Sequence, residues 1–164
     1  MPYPTWAAGQ RVTAALLTAA QPALIYKTAD ESVTSSTTLQ NDDHLFVAVA
    51  ANATYAIDCW LNFLANSPPD IKADWTIPAG ATMNWAALGT GTANYSDHDA
   101  SIVSHNVARG GKGNPGVPQS MNARGYLITG GTAGTLQLRW AQNTSNASAT
   151  VLRAGSWIRL QRNS

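Results

Sequence analysis

From Leu24 onward, apolar residues in this chain recur mainly at every second position. That is the period of a β-strand, whose side chains alternate between two faces. The clearest case is TYAIDCWLNFLA, residues 54–65. Tyr55, Ile57, Cys59, Leu61 and Phe63 fall on one side; Ala56, Asp58, Trp60, Asn62 and Leu64 fall on the other. Both sides can be apolar, so the pattern predicts a strand covered on both faces, the second by a neighbouring subunit. DIKADWTI (70–77) predicts Ile71, Ala73, Trp75 and Ile77 inward and Lys72, Asp74 and Thr76 outward, and TMNWAAL (82–88) puts Met83 and Trp85 on one face. Near the end, Leu136, Leu138 and Trp140 form one stripe, and Trp157, Arg159 and Gln161 oppose Ile158 and Leu160. Further strand patterns lie at ALIYKTA (23–29), ESVTSSTTLQ (31–40), HLFVAVA (44–50), RGYLITG (124–130) and ATVLRA (149–154). Asn52 and the prolines of SPPD mark turns. Residues 88–122 are Gly-rich and weakly patterned, a long loop with one candidate strand at ASIVSHNVA. About eight to ten short strands, with no βα alternation, predict an all-β antiparallel sandwich or jelly roll.

The first 22 residues differ. Pro2 and Pro4 predict an extended arm, and TAALLTAAQP predicts a short helix capped by Thr13 and stopped by Pro22. Two turns do not persist alone, so this element must dock on something. The expected organisation is an arm and docking helix at 1–22 and a β-sandwich domain at 23–164, with the long loop at 88–122.

Composition sharpens the picture. Of 164 residues, 45% are hydrophobic and only 12% charged, about half the usual share. So few charges suit β-structure and a surface partly covered by other subunits. The net charge of +1 points to neither nucleic acid nor acidic membrane. All nine acids lie in residues 1–100, with three bases, and residues 101–164 carry seven bases and no acid. Interleaving of acidic early strands with basic late ones is the expected outcome. Cys59 is the only cysteine, which excludes an intrachain disulfide and a thiol-built zinc site. Its apolar neighbours suggest a buried thiol. No apolar run is long enough to span a membrane, and the N-terminus has no export-signal pattern.

Candidate chemistry is sparse. Asp97, His98 and Asp99, with His105 nearby, offer metal-ligating atoms, but adjacent strand residues point to opposite faces and a solvated loop is expected instead. GKGNPG (111–116) matches a dinucleotide-binding pattern in letters only: no βαβ unit surrounds it, and Pro115 and Pro118 block a following helix. The carboxylates Asp58, Asp70 and Asp74 form no acid–base pair, and the three histidines have no nucleophile beside them. Five of the six tryptophans sit mid-strand as core or interface fillers. Trp6, in the arm, is placed to enter a neighbour's pocket. The chain is therefore expected not to be an enzyme and to need no cofactor or metal.

Residues 3–22, YPTWAAGQRVTAALLTAAQP, resemble the opening of many virion proteins of tailed phages, notably actinobacterial ones, where a W-x-x-G-Q-x-x-T-A-x-x-L segment precedes the structural domain. KTADESVTSSTTLQNDDHLFVAVAANATYAIDCWLNF, IKADWTIPAGATMNW and GTAGTLQLRWAQNTSNAS with VLRAGSWIRLQR resemble the β-domain that follows it in small head or tail accessory proteins. The resemblance spares only 88–122. It implies a trimeric jelly roll of the tumour-necrosis-factor and complement type. It further implies a capsid decoration or minor capsid protein, held to the particle by its arm and assembled in the bacterial cytoplasm. The alternative is a minor tail or adsorption protein contacting host surface glycans. Implied partners are two further copies of the chain and the major capsid protein or other virion proteins. Candidate attachment and interface residues are Trp6, Arg11, Leu16, Leu17, Trp60 and Leu64.

Overall fold

The computed structural model describes residues 6–89 and 101–163. Helix α1 (Ala14–Ala20) starts where Thr13 accepts a hydrogen bond from the Leu16 N–H at 3.3 Å and ends at Gln21, as expected from Pro22. The strands that follow it form two antiparallel sheets.

The larger sheet has eight strands. Its main path runs β1 (Ala23–Tyr26), β12 (Trp157–Arg162), β4 (Thr54–Leu64), β9 (Gln119–Ile128), β6 (Thr82–Leu88) and β7 (Val103–Ser104). β11 (Thr150–Leu152) also pairs with β4 and carries β2 (Glu31–Val33) on its far side. The smaller sheet is β3 (Gln40–Val49), β10 (Gly134–Ala141), β5 (Ile71–Thr76) and β8 (Arg109–Gly111). From β3 to β12 the chain passes back and forth between the sheets, wrapping them around one core as in a jelly roll.

The alternation read from the sequence sets which side of each strand is inside. Cys59, Leu61 and Phe63 on β4, Ile71, Ala73 and Trp75 on β5, and Leu136, Leu138 and Trp140 on β10 are all fully buried. Trp75 and Trp85 meet edge to face, centroids 6.0 Å apart, a favoured aromatic geometry. Two glycines sit where a side chain would not fit. A Cβ on Gly125 would strike the Asn84 carbonyl and the Trp85 side chain, and one on Gly113 would strike the Ala65 and Asn66 carbonyls.

The structure departs from the expected pattern in four places. Residues 88–122 hold more than the one expected strand: β7 falls within ASIVSHNVA, but β8 and the first residues of β9 lie there too. The Arg-Gly-Gly of β8 has no period-two signal; pairing with β5 makes it a strand, with Gly111 close against the Phe63 ring. Of residues 31–40 only Glu31–Val33 form a regular strand before a turn in which Ser35 has φ 52°. β3 starts four residues before the expected His44, because Gln40 and Asn41 pair with β10 past a bulge. Asp70, expected outward, is buried at a turn, where its Oδ1 accepts the Gly113 N–H at 2.8 Å.

Candidate functional site

Three of the late bases find early acids across strands, as the charge asymmetry predicts. Arg124 and Arg159 stand directly opposite Asp58 on either side of β4, with contacts of 3.3 and 3.0 Å. Arg139 stands opposite Asp74, with a contact of 2.5 Å. A one-residue slip would move either partner to the other face of its sheet, so these pairs pin the register.

The outward side of the larger sheet is the first candidate site. Strand pairing aligns its side chains in rows about 4.8 Å apart from strand to strand. The central row is Leu24, Arg159, Asp58, Arg124 and Ala86. Two residues along, Tyr26, Trp157, Trp60, Asn122 and Leu88 form the next row. On the other side come Gln161, Ala56, Tyr126 and Asn84. Trp60 and Trp157 are half-buried and lie directly opposite one another. Leu24, Tyr26, Leu88, Tyr126 and Ile128 are exposed. An open groove of about 530 Å³ crosses the face, lined by Pro22, Ala56, Asp58, Arg124, Arg159 and Gln161.

Each candidate residue from the sequence has a definite place. Trp60 and Leu64 sit half-buried on this outward face of β4. Trp6, Arg11 and Leu17 are exposed, and Leu16 is only partly covered. The structure therefore keeps the two groups apart: one on the sheet, the other on an arm and helix that, among the described residues, pack extensively against no strand. Cys59 is buried on the inner side of β4, and burial, reinforced by the nearby Asp58 and Asp42 charges, pushes its thiol pKa up, so it is chemically quiet. Asp97, His98 and Asp99 lie outside the described residues. His105 belongs to no ligand cluster among the described residues. GKGNPG begins on the last residue of β8 and continues as a turn-bearing loop, with the Val117 N–H bonded to the Asn114 carbonyl at 3.0 Å.

A second site was missed by the sequence reading. Lys27, just past β1, has a fully buried side chain. Its backbone is held by β12's approach segment: its N–H donates to the Ser156 carbonyl at 2.8 Å, and its carbonyl accepts the Gly155 N–H at 2.9 Å. Its Nζ lies 2.6 Å from Asp42 Oδ2, 2.8 Å from Glu31 Oε2 and 3.5 Å from His44 Nδ1. Asp42 is likewise fully buried, and its Oδ1 accepts the backbone N–H groups of His44 and Leu45 at 2.9 and 2.8 Å. Gln40 donates to Glu31 Oε1 at 3.0 Å. Glu31, Asp42 and His44 present ligand atoms within 4.8 Å of one another, a donor set able to hold a cation. The Lys27 ammonium already contacts all three and supplies that positive charge. The available signal was parity: Lys27 follows Ala23 and Ile25 at the inward position of ALIYKTA.

No protein-family model matches the chain, and no curated protein matches it. Among solved structures it is similar to a chain of the tripod from the baseplate of bacteriophage Tuc2009, at 10% identity and TM-score 0.36, covering 99% of this chain and 76% of that one. It is also similar to chains of infectious bursal disease virus. For the Gx strain, identity is 9% and TM-score 0.23, covering 87% of this chain and 40% of that one. For the VP2 subviral particle the values are 13% and 0.22, covering 87% and 42%. Likeness at these levels assigns neither assembly nor ligand to this chain.

Proposed function

We propose that the protein is a non-enzymatic structural component of a phage virion, a trimer that decorates the capsid or serves as a minor capsid protein. The arm and α1 attach it to the particle, and the outward face of the larger sheet joins its copies. The observation that carries the attachment is the exposure of an apolar segment. Trp6 and Val12 in the arm and Leu17 on α1 are 53%, 53% and 52% exposed, and α1 has only seven residues, too short to be stable without a partner surface. The sequence resemblance supplies the particle as that partner.

Deletion of residues 1–21 tests this reading. The truncated chain is expected to fold and to leave particles undecorated. Full occupancy on particles lacking the native protein would overturn the role of the arm.

A second reading has one observation in its favour. The groove beside Arg124 and Arg159 adjoins the Tyr26–Trp157–Trp60 row, and aromatic rings next to polar donors suit a sugar. In that reading the chain is a minor tail or adsorption protein that binds host surface glycans. Selective binding on a glycan array, lost on Trp60→Ala, supports it; a few copies per particle in place of tens to hundreds separates it from decoration.

A further inference from the structure

We propose that Lys27 and Asp42 become joined by an intramolecular amide bond that the protein forms on itself, with Glu31 as proton carrier. The inference rests on the buried cluster alone and is independent of the virion reading.

Four features of the cluster match what such a condensation needs. First, nucleophile and electrophile are in contact. Nζ lies 2.6 Å from Oδ2, which places it within about 4 Å of the carboxyl carbon, close to the ~3–3.5 Å of a near-attack arrangement. Second, the other carboxyl oxygen already sits between two backbone N–H donors, those of His44 and Leu45. These would stabilise the negative oxygen of a tetrahedral intermediate, as an oxyanion hole does. Third, a proton carrier is in place. Glu31 Oε2 is 2.8 Å from Nζ, and its other oxygen is fixed by Gln40, within the reach required of a general base and acid. Fourth, the Lys27 and Asp42 side chains are both 0% exposed. A dry site penalises the ion pair and withholds the water that would reverse the reaction.

The step balances without a co-reactant. Glu31 accepts a proton from the Lys27 ammonium, and the freed amine attacks Cγ of Asp42. The C–Oδ2 bond breaks as the C–N bond completes. Glu31 delivers protons in turn to Oδ2, which leaves as water with two of the three ammonium protons. The third stays on the amide nitrogen. Oδ1 remains as the amide carbonyl, still accepting from His44 and Leu45, and the new N–H faces Glu31. The product thus keeps both backbone hydrogen bonds to Oδ1 and one donor toward Glu31. It also ties the end of β1, in the larger sheet, to β3, in the smaller one, where the arm enters the domain.

Intact-mass spectrometry of the full chain decides the matter, after allowance for the initiator methionine. The wild-type protein should be lighter than its sequence mass by one water, and proteolysis should yield a branched peptide linking Lys27 to Asp42. Lys27→Arg should have the full mass. Glu31→Gln should fold, judged by circular dichroism, and remain at full mass or lose water far more slowly. A wild-type chain at full mass, both fresh and after long incubation in the folded state, would overturn the proposal. So would a missing water that maps to another pair of residues. Cross-linking of Glu31→Gln at the wild-type rate would overturn the role given to Glu31.

Discussion

The two outward faces of the sandwich follow the same alternation, yet they finish differently. On the smaller sheet the outward groups are mostly polar, and Phe46, 49% exposed, is the lone large apolar residue exposed there among the described residues. Its charge pair is drawn in: the Asp74 side chain is 2% exposed and that of Arg139 32%. On the larger sheet, five large apolar side chains between 42% and 54% exposed surround two half-buried tryptophans. Its charge trio stands open, with Arg124 and Arg159 side chains 69% and 54% exposed around Asp58. One face is complete in the single chain. The other has the composition of an interface core, aromatic residues and arginine, and has no cover among the described residues.

The largest expected effect lies in what both faces share. Trp140 is fully buried between the sheets, and Trp140→Ala is expected to destabilise the domain by ~3–5 kcal/mol, read as a lower urea midpoint. Near-wild-type unfolding would mean that the sheets do not pack through this stripe, and the distinction between inner and outer faces would fail. The next effect separates the faces. Asp74→Ala leaves a half-buried arginine without its partner and is expected to cost about 1–3 kcal/mol, less than a fully buried pair because Arg139 is about a third exposed. Asp58→Asn removes a solvent-exposed trio and should cost under ~1 kcal/mol in the unassembled chain. The same urea titration measures both. The reverse ranking would show that the larger sheet's ion pairs are the structural ones and would dissolve the comparison.

Much of this architecture was legible in the alternation. The inward sets on β4, β5, β6, β10 and β12, the helix limits at Thr13 and Pro22, and the cross-strand meeting of late bases with early acids all follow from period and charge order. What was not legible has a common cause: it depends on partners distant in sequence. β8 is a strand because β5 lies beside it, although Arg109-Gly110-Gly111 carries no pattern. Asp70 reads as the start of an outward alternation but is turned in to meet Gly113, forty-three residues away. Lys27 stands at an inward parity position, but its buried role shows only once Asp42 and Glu31 are seen to converge on it. Of the candidate interface residues, the outward placement of Trp60 and Leu64 was legible because both faces of β4 are apolar-capable. The aromatic row to which Trp60 belongs needed the registers of β1 and β12.

The claim that the larger sheet's outward face joins copies of the chain is tested most directly by sedimentation at micromolar concentration. The wild-type protein is expected to be a trimer. Tyr26→Lys combined with Tyr126→Lys, both at exposed positions, should give a folded monomer, while Phe46→Lys on the opposite face should leave the trimer intact. A monomeric wild type, or a trimer that survives the double change and dissociates on Phe46→Lys, would contradict the account.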